Sequence, residues 1–481
     1  MADSHRARRS SDRLARFSGN FAQEAMMVRG QTAASPQYGV ADQTDAFFID
    51  GNGQLHVAWV SGAGAWNGPA PIGPAGQFPP GTGVAASPQY GVPDQTDVFA
   101  IDTNGQLHVA WVSGVGAWNG PAPIGPAGLF LPGAVAGVAA SPQYGVPDQT
   151  DVFAVDRNGQ LHVAWVSGVG AWNGPAPIGP AGLFPAGAAV AASPQYGVPD
   201  QTDVFAIGSN GQLHVAWVSG AGAWNGPAPI GPADLFPPGT GVAASPQYGV
   251  DDQTDVFAID KHGQLHVAWV SGAGAWNGPA PIGPAGLFQP GAVAGIAASP
   301  QYGVADQTDV FAVDRNGQLH VAWVSGVGAW NGPAPIGPAG LFPPGTGVAA
   351  SPQYGVPDQT DVFAIGGNGQ LHVAWVSGVG AWNGPVGLAF PPRIAIAALQ
   401  DGQGRFIEVT GSNFTANGRV SLDYQLKAGG APANMAVGNL GAQADAKGAI
   451  RARIDVALIG LTNAAVKATD QTSNRSATAE I

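Results

Sequence analysis

The chain has 481 residues, a formal net charge of −13 and no cysteine, which excludes disulfide bonds and cysteine-based chemistry. Residues 31–390 hold 21 Asp, no Glu and only three basic residues, hence a balance of −18. An array with this charge lacks the basic surface that nucleic acids and anionic membranes attract. The 74 Gly and 42 Pro are high, but 14 regularly spaced Trp favour short strands separated by turns over disorder.

Residues 1–30 are predicted to be a polar, basic N-terminal tail. They are rich in Arg and lack the apolar stretch of roughly 7–15 residues that a secretory signal contains. No run of about 18 apolar residues occurs, so neither a transmembrane helix nor membrane insertion is expected. The location of the protein is left open, with extracellular release by a non-classical route as one alternative.

The segment Gln54–Gly62, QLHVAWVSG, occurs seven times in nearly the same form, at intervals of 52 or 54 residues. One unit contains four short apolar or β-branched runs separated by turn residues, which predicts a four-stranded all-β unit. Before the third run stands Asn52-Gly53 or its equivalent, replaced by His262-Gly263 in the fifth copy. This pair predicts a two-residue hairpin loop with positive φ at both central positions.

Both faces of the QLHVAWV strand are mostly apolar, so each unit is predicted to be covered on both sides. Seven such units within residues 31–390 predict a seven-bladed β-propeller. A solenoid is the alternative, but it needs polar capping repeats, and the end copies are as apolar as the others. For the last blade, either Val386–Phe390 forms the outer strand or the N-terminal segment supplies it.

Residues 391–481 differ in composition and are predicted to form a C-terminal β-sandwich. Six runs are predicted as strands: RIAIAALQ, RFIEVTGSNF, RVSLDYQLK, AIRARIDVAL, NAAVKATDQ and RSATAEI. In AIRARIDV, apolar residues alternate with charged ones, as in a half-solvated antiparallel strand. The stretch IEVTGSNFTANGRVSL resembles bacterial immunoglobulin-like or IPT-type modules, which implies a spacer or docking unit without chemistry of its own.

The unit DVFAID-x-NGQLHVAW-x-x-G-x-x-AWNGPAPIG resembles the repeat of the bacterial seven-bladed lectins of the Photorhabdus lectin type and, more loosely, the tectonin group. The resemblance covers residues 31–390 and implies sites between neighbouring blades for fucose and related, often methylated, sugars. The array has no Glu, so the Arg/Glu pair of the six-bladed fungal fucose lectins is absent. The identity of the sugar is therefore left open.

The candidate carbohydrate-binding residues repeat in every unit. An indole face packs on the C–H bonds of a sugar, and amide or phenol groups select hydroxyls; the alternative roles are packing between blades for Trp, and turn chemistry for the polar residues. Tyr38, Gln43, Trp66 and Asn67 are predicted to lie on one rim, as are their equivalents. The full set is Tyr38, Gln43, Trp66, Asn67, Tyr90, Gln95, Trp118, Asn119, Tyr144, Gln149, Trp172, Asn173, Tyr196, Gln201, Trp224, Asn225, Tyr248, Gln253, Trp276, Asn277, Tyr302, Gln307, Trp330, Asn331, Tyr354, Gln359, Trp382 and Asn383.

The repeat histidines form a second tier, for which a neutral structural role between blades is favoured over a sugar contact. They are His56, His108, His162, His214, His266, His320 and His372. No metal ligand set and no cofactor is predicted: the Ile49–Gln54 run faintly resembles a calcium loop, but its Asp50 becomes Gly208 and Gly366 in the fourth and seventh copies.

Three functional classes follow. The first is a multivalent lectin with repeated shallow aromatic sites, whose partners are glycans or glycoconjugates. The second is a structural or protein-interaction propeller that docks through the C-terminal sandwich. An enzyme is not expected, because nearly identical units offer no unique acid/base pair. Homo-oligomer formation is left open.

Overall fold

The computed structural model describes residues 31–133, 137–291, 295–388, 392–401, 404–415, 417–428, 435–445, 448–456, 461–472 and 474–481. The predicted N-terminal tail, residues 1–30, lies outside the described residues. Within these ranges the chain is all-β, as predicted, and contains no helix long and apolar enough to cross a membrane.

Residues 33–387 form seven four-stranded sheets, numbered here in chain order. Sheet 1 contains β1 (Ala33–Pro36), β2 (Gln43–Ile49), β3 (Leu55–Ser61) and β4 (Asn67–Ile72), and sheet 2 contains β5 (Val84–Pro88), β6 (Gln95–Ile101), β7 (Leu107–Ser113) and β8 (Asn119–Ile124). Sheet 3 contains β9 (Ala139–Pro142), β10 (Gln149–Val155), β11 (Leu161–Ser167) and β12 (Asn173–Ile178), and sheet 4 contains β13 (Ala191–Pro194), β14 (Gln201–Ile207), β15 (Leu213–Ser219) and β16 (Asn225–Ile230). Sheet 5 contains β17 (Val242–Pro246), β18 (Gln253–Ile259), β19 (Leu265–Ser271) and β20 (Asn277–Ile282). Sheet 6 contains β21 (Ile296–Pro300), β22 (Gln307–Val313), β23 (Leu319–Ser325) and β24 (Asn331–Ile336), and sheet 7 contains β25 (Val348–Pro352), β26 (Gln359–Ile365), β27 (Leu371–Ser377) and β28 (Asn383–Gly387).

Each sheet is an antiparallel meander in which the strands pair in chain order. The second strand is buried almost throughout, and the third carries buried residues on both faces, as the doubly apolar sequence predicts. The outer strand of sheet 2 starts at Asn119, directly after Trp118. Its pairing with the third strand shifts register between Val109 and Trp111. Core residues of one sheet pack against the next; Phe47, for example, shares a cluster with Val98.

The first strands of successive sheets contact one another, so they form the inner layer of the array. Contacts run from β1 to β5 and onward to β25, and β25 contacts β1. A hydrogen bond at the same place joins the ends of the array: the Tyr354 amide donates to Thr44 Oγ1 over 2.7 Å. Sheet 7 therefore lies beside sheet 1.

The turn between the second and third strands differs from the predicted two-residue loop. In sheet 1, the Asp50 amide donates to Gln54 O and the Gly53 amide to Asp50 O, which encloses three loop residues. Only Gly53 has positive φ, +69°, as in a type I turn closed by a glycine bulge. The prediction of positive φ at Asn52 was therefore wrong. Since that position needs no left-handed backbone, His262 fits it in sheet 5.

The outer strand of sheet 7 is β28, which ends at Gly387, and the Leu388 amide donates to Leu371 O. Of the two predicted alternatives, the segment beginning near Val386 is the one that pairs with β27, opposite Val373.

The C-terminal part contains two antiparallel sheets. One has the order β29 (Arg393–Asp401), β30 (Gly404–Ser412), β33 (Ile450–Asp455); the other has the order β32 (Met435–Gln443), β31 (Arg419–Ala428), β34 (Leu461–Asp470), β35 (Ser476–Glu480). Buried Ile407, Leu422, Ile454 and Val466 belong to one core shared by both sheets. In β33, Ile450 and Ile454 are buried and Arg451 is exposed, the alternation predicted for this strand.

Candidate functional site

Neighbouring sheets are joined along one edge by two loops, the one between the first and second strands and the one between the third and fourth. Gln37 Nε2 of sheet 1 donates to Gly114 O of sheet 2 over 2.6 Å, and the Tyr38 amide donates to Thr96 Oγ1 over 2.9 Å. Gly39 has φ of +80°, and a Cβ there would lie 2.4 Å from the Cβ of Asp94. We call this edge the rim, and each meeting of two sheets a rim junction.

The second loop places a tryptophan in each rim junction. Trp118, just before β8, packs edge-on against Phe47 of the preceding sheet, with ring centroids 5.5 Å apart. All seven of these tryptophans remain partly exposed, so each one both packs between sheets and is accessible to solvent. The pairs, with centroid distances of 5.4–5.5 Å, are Trp118 on Phe47, Trp172 on Phe99, Trp224 on Phe153, Trp276 on Phe205, Trp330 on Phe257, Trp382 on Phe311 and Trp66 on Phe363.

An exposed apolar residue stands three positions before each rim tryptophan. In four sheets it is a valine whose exposed fraction is 88%; these are Val115, Val169, Val327 and Val379. The other three sheets have exposed alanines, Ala63, Ala221 and Ala273. The sequence analysis did not include this position, although an apolar residue inside a Gly-rich turn is a signal for it. The rim junctions therefore fall into two types that differ by two methyl groups.

Asn119, which follows Trp118, is exposed at the start of the outer strand. Its Nδ2 donates to Ala117 O over 3.2 Å and more weakly to Trp111 O over 3.4 Å, so the amide nitrogen stabilises the turn. The same geometry recurs in the other sheets, except that only the Ala65 contact is present in sheet 1. These asparagines therefore stabilise the turn, which was the alternative role considered for them. They are also accessible to solvent at the position after the tryptophan.

The predicted glutamines serve a buried network. Gln43 Nε2 donates to Gln37 Oε1 and to Asp45 Oδ1, both over 2.8 Å. Asp45 is 0% exposed, its Oδ2 has no hydrogen-bond partner, and burial raises its pKa to about 7 against a smaller lowering by Gln43. The same arrangement recurs at Asp97, Asp151, Asp203, Asp255, Asp309 and Asp361. The donors of these glutamines are consequently used within the fold.

The predicted tyrosines lie together at the inner end of the rim. Burial, together with the neighbouring phenols of Tyr196 and Tyr90, raises the pKa of Tyr144 to about 12. Equivalent phenol–phenol interactions link Tyr90 with Tyr38, Tyr302 with Tyr248 and Tyr354, and Tyr354 with Tyr38. No ring contact between a tyrosine and a rim tryptophan occurs among the described residues. The four residue types predicted to act together are therefore distributed over an outer, a buried and an inner position.

The repeat histidines lie at the opposite edge, beside the turn that precedes the third strand. His108 Nε2 contacts Asp102 Oδ2 over 3.1 Å, and its ring packs edge-on against Phe78 of the preceding unit. Equivalent Asp–His pairs occur in sheets 1, 3, 5 and 6. In sheets 4 and 7, where Gly replaces the Asp, His214 and His372 are buried with neither ring nitrogen hydrogen-bonded. Their position between sheets agrees with the structural role favoured above.

The described residues contain no group of three or more His, Cys, Asp and Glu side chains that could hold a metal ion. Asp50, the acidic residue of the calcium-like run, accepts hydrogen bonds from the Asn52 and Gln54 amides over 2.9 Å. Its carboxylate thus caps its own turn.

Comparison with protein-family models and with curated protein sequences gives no match. Among solved structures, the BP39L lectin from Burkholderia pseudomallei matches with 60% identity and a TM-score of 0.73, over 75% of this chain and 99% of that one. The Aleuria aurantia lectin in complex with Fucα1-6GlcNAc matches with 20% identity and a TM-score of 0.44, over 65% and 97%. AofleA from Arthrobotrys oligospora matches with 15% identity and a TM-score of 0.45, over 64% and 87%.

Proposed function

Because the chain belongs to the family of the BP39L lectin from Burkholderia pseudomallei, we propose that it binds glycans through repeated rim junctions, each built around one tryptophan. Lectins are non-catalytic carbohydrate-binding proteins, which confirms the prediction that the chain is not an enzyme. The matched share of the chain corresponds in length to the repeat array, so the family assignment concerns that part.

We further propose that residues 31–390 form a seven-bladed β-propeller and residues 391–481 an immunoglobulin-like β-sandwich. The first proposal is supported by seven sheets of one topology and by the contact of β25 with β1. The second is supported by the core that the last two sheets share. Each blade then contributes one rim junction, and seven equivalent sites face the same side.

The observation that carries the binding proposal is the partly exposed indole held edge-on by the phenylalanine of the neighbouring sheet. An indole fixed in this way offers a flat apolar face to sugar C–H groups at little entropic cost. Asn119 beside it offers an amide oxygen to a hydroxyl. The alternative from the sequence is a structural or protein-interaction propeller, which buried indoles would favour. The partial exposure of all seven rim tryptophans favours the lectin.

The exposed valines refine the class of sugar. Val115 lies three positions before Trp118 in the same short loop and is 88% exposed. A sugar that carries a methyl group, as fucose and methylated sugars do, gains apolar contact there, whereas a fully hydroxylated sugar leaves the valine solvated. We therefore propose 6-deoxy or O-methylated monosaccharide units as the preferred ligands, and multivalent surfaces bearing them as the partners.

A glycan array tests the proposal with a variant that spares the fold. Changing Val115, Val169, Val327 and Val379 together to Asp places a charge at exposed loop positions, so folding is retained while the apolar contact is lost. We expect a loss of array signal of roughly tenfold or more for methyl-bearing glycans. Val437→Asp is the matched control, an equally drastic change at an exposed valine of the C-terminal sheet. Unchanged binding of the fourfold variant would contradict the proposal.

A further inference from the structure

The repeat is interrupted where its two ends meet. In sheets 2 to 7, the loop from the preceding unit brings a phenylalanine edge-on to the repeat histidine, as Phe78 does for His108. Sheet 1 is the first sheet in chain order, and among the described residues no phenylalanine of another unit makes this contact with His56. In sheet 1, Phe48 stacks on His56 instead, with centroids 5.5 Å apart and an interplanar angle of 15°. The residue equivalent to Phe48 in sheet 2 is Ala100.

A cavity of about 370 Å³ occupies this place, between sheets 1 and 7 and the C-terminal part of the chain. Its apolar walls include Phe48, Leu388 and Phe414, and its polar walls include Asn368 and Ser412. Small-molecule sites of proteins have volumes of this order and a similar mixture of apolar walls with a few polar groups. Among the described residues, the wall formed by Arg393, Ser412, Phe414 and Arg475 lies beside sheets 1 and 7, so we expect one such site per chain.

Arg393 gives the cavity its chemical character. This residue begins β29, lines the cavity and is half-buried, and burial lowers the pKa of its guanidinium. Among the described residues no carboxylate lies within ion-pair distance of Arg393. A partly desolvated guanidinium without a carboxylate partner is a favourable place for a planar oxyanion, which it binds with two parallel hydrogen bonds.

The acidic residue of the cavity is engaged elsewhere. Asp50 Oδ1 accepts from the Asn52 and Gln54 amides, and its Oδ2 lies 3.2 Å from His56 Nε2. Its charge is thus directed at its own turn and at His56. Arg475 adds a second basic residue to the lining.

We propose that this cavity, around Arg393, binds one carboxylate-bearing monosaccharide per chain. The guanidinium binds the carboxylate, Asn368 and Ser412 bind hydroxyls, and the apolar walls contact the ring. The site contains none of the rim tryptophans, valines or asparagines. This proposal can therefore be tested independently of the function proposed above.

Isothermal titration of the full chain with D-galacturonate tests this inference. We expect one site per chain, and a loss of affinity of roughly tenfold or more when the ligand is the methyl ester, which lacks the charge. Arg393→Gln should cause the same loss, with its thermal unfolding midpoint recorded to verify folding. Arg405→Gln, at an exposed arginine of β30 outside the cavity, is the matched control and should bind as the unchanged protein does.

Three results would overturn the proposal. One is equal affinity for the acid and its methyl ester, because the carboxylate would then play no part. Another is full binding by a folded Arg393→Gln variant. The third is a stoichiometry near seven, abolished by changes at the rim tryptophans, which would assign the acid to the rim junctions instead.

Discussion

Trp118 meets Phe47 edge-on, with 5.5 Å between ring centroids and 77° between ring planes, although the two residues belong to different sheets. Phe47 is fully buried, whereas Trp118 is partly exposed. The buried ring thus fixes the orientation of the exposed one. The seven such pairs join the sheets to one another and, on our proposal, present seven indole faces to glycans.

The first prediction separates binding from packing at one rim junction. Trp118→Ala should lower the number of monosaccharide sites in a calorimetric titration by one, because only that junction loses its indole. It should also lower the free energy of unfolding by about 1–3 kcal/mol, since part of the ring packs between sheets. A destabilised variant with an unchanged number of sites would show that the tryptophan is only a packing residue.

The second prediction uses the two types of junction. Methyl α-L-fucoside should bind the four Val junctions several-fold more tightly than the three Ala junctions, because partial burial of two methyl groups contributes up to about 1 kcal/mol. A titration should therefore resolve two classes in a ratio of four to three. Changing Ala63, Ala221 and Ala273 to Val should merge the classes, and a wild-type titration that already fits one class of seven would contradict the expectation.

The third prediction concerns pH and the seven buried aspartates. Burial raises the pKa of each from 3.8 to about 7. Such a carboxyl binds its proton more readily in the folded chain, so the folded state gains stability as the pH falls from about 7 towards 3.8 and loses it as the pH rises. The thermal unfolding midpoint should therefore be higher at pH 5 than at pH 8.

Two buried histidines act in the opposite direction. Burial lowers the pKa of His214, and that of His372 to about 4, so protonation below pH 6.5 opposes folding at these two positions. Because seven aspartates oppose two histidines, the unfolding midpoint should still fall as the pH rises. Replacing several Asp45-type residues with Asn should flatten the slope, whereas Asp94→Asn at the exposed rim serves as the control. A midpoint that rises with pH would contradict this prediction.

The fourth prediction restores a missing pair. Gly208→Asp should recreate in sheet 4 the contact that Asp102 makes with His108, and should stabilise the fold by about 1 kcal/mol. The pKa of His214, measured by NMR titration, should rise because the ring gains a carboxylate partner. In the present structure, Asn210 Oδ1 accepts a hydrogen bond from the Gln212 amide. In the variant, the aspartate carboxylate should replace Asn210 as the acceptor. Gly208→Ala is the control, and equal stability of both variants would refute the pairing.

The sequence predicted the four strands of each unit because turn residues and apolar runs are local signals. It misjudged the Asp50–Gln54 turn because the hydrogen bonds from Asp50 allow a single positive φ, at Gly53, where the Asn-Gly pair suggested two. It also missed β32, which contains Gly438 and Gly441 and a single β-branched residue, Val437. A Cβ at Gly438 would lie 2.3 Å from the Tyr424 hydroxyl, so a contact across the sheet selects the glycine.

The candidate site was predictable in part. The count of four strands per unit predicts that the loop after the first strand and the loop after the third strand lie on the same edge of the sheet. The distribution of Tyr38, Gln43 and Trp66 over inner, buried and outer positions did not, because it depends on which neighbouring sheet each residue contacts. Tyr38 bonds to Thr96 of sheet 2, whereas Trp66 packs on Phe363 of sheet 7. Spacing along one unit carries no information about these contacts between units.

The most direct test of the account is a crystal structure of the chain soaked with methyl α-L-fucoside. The account predicts sugar density in van der Waals contact with Trp118 and its six equivalents, with the methyl group near the valine of the Val junctions. Density confined to the inner tyrosines or to the edge that carries the repeat histidines, with the seven indoles bare, would contradict it.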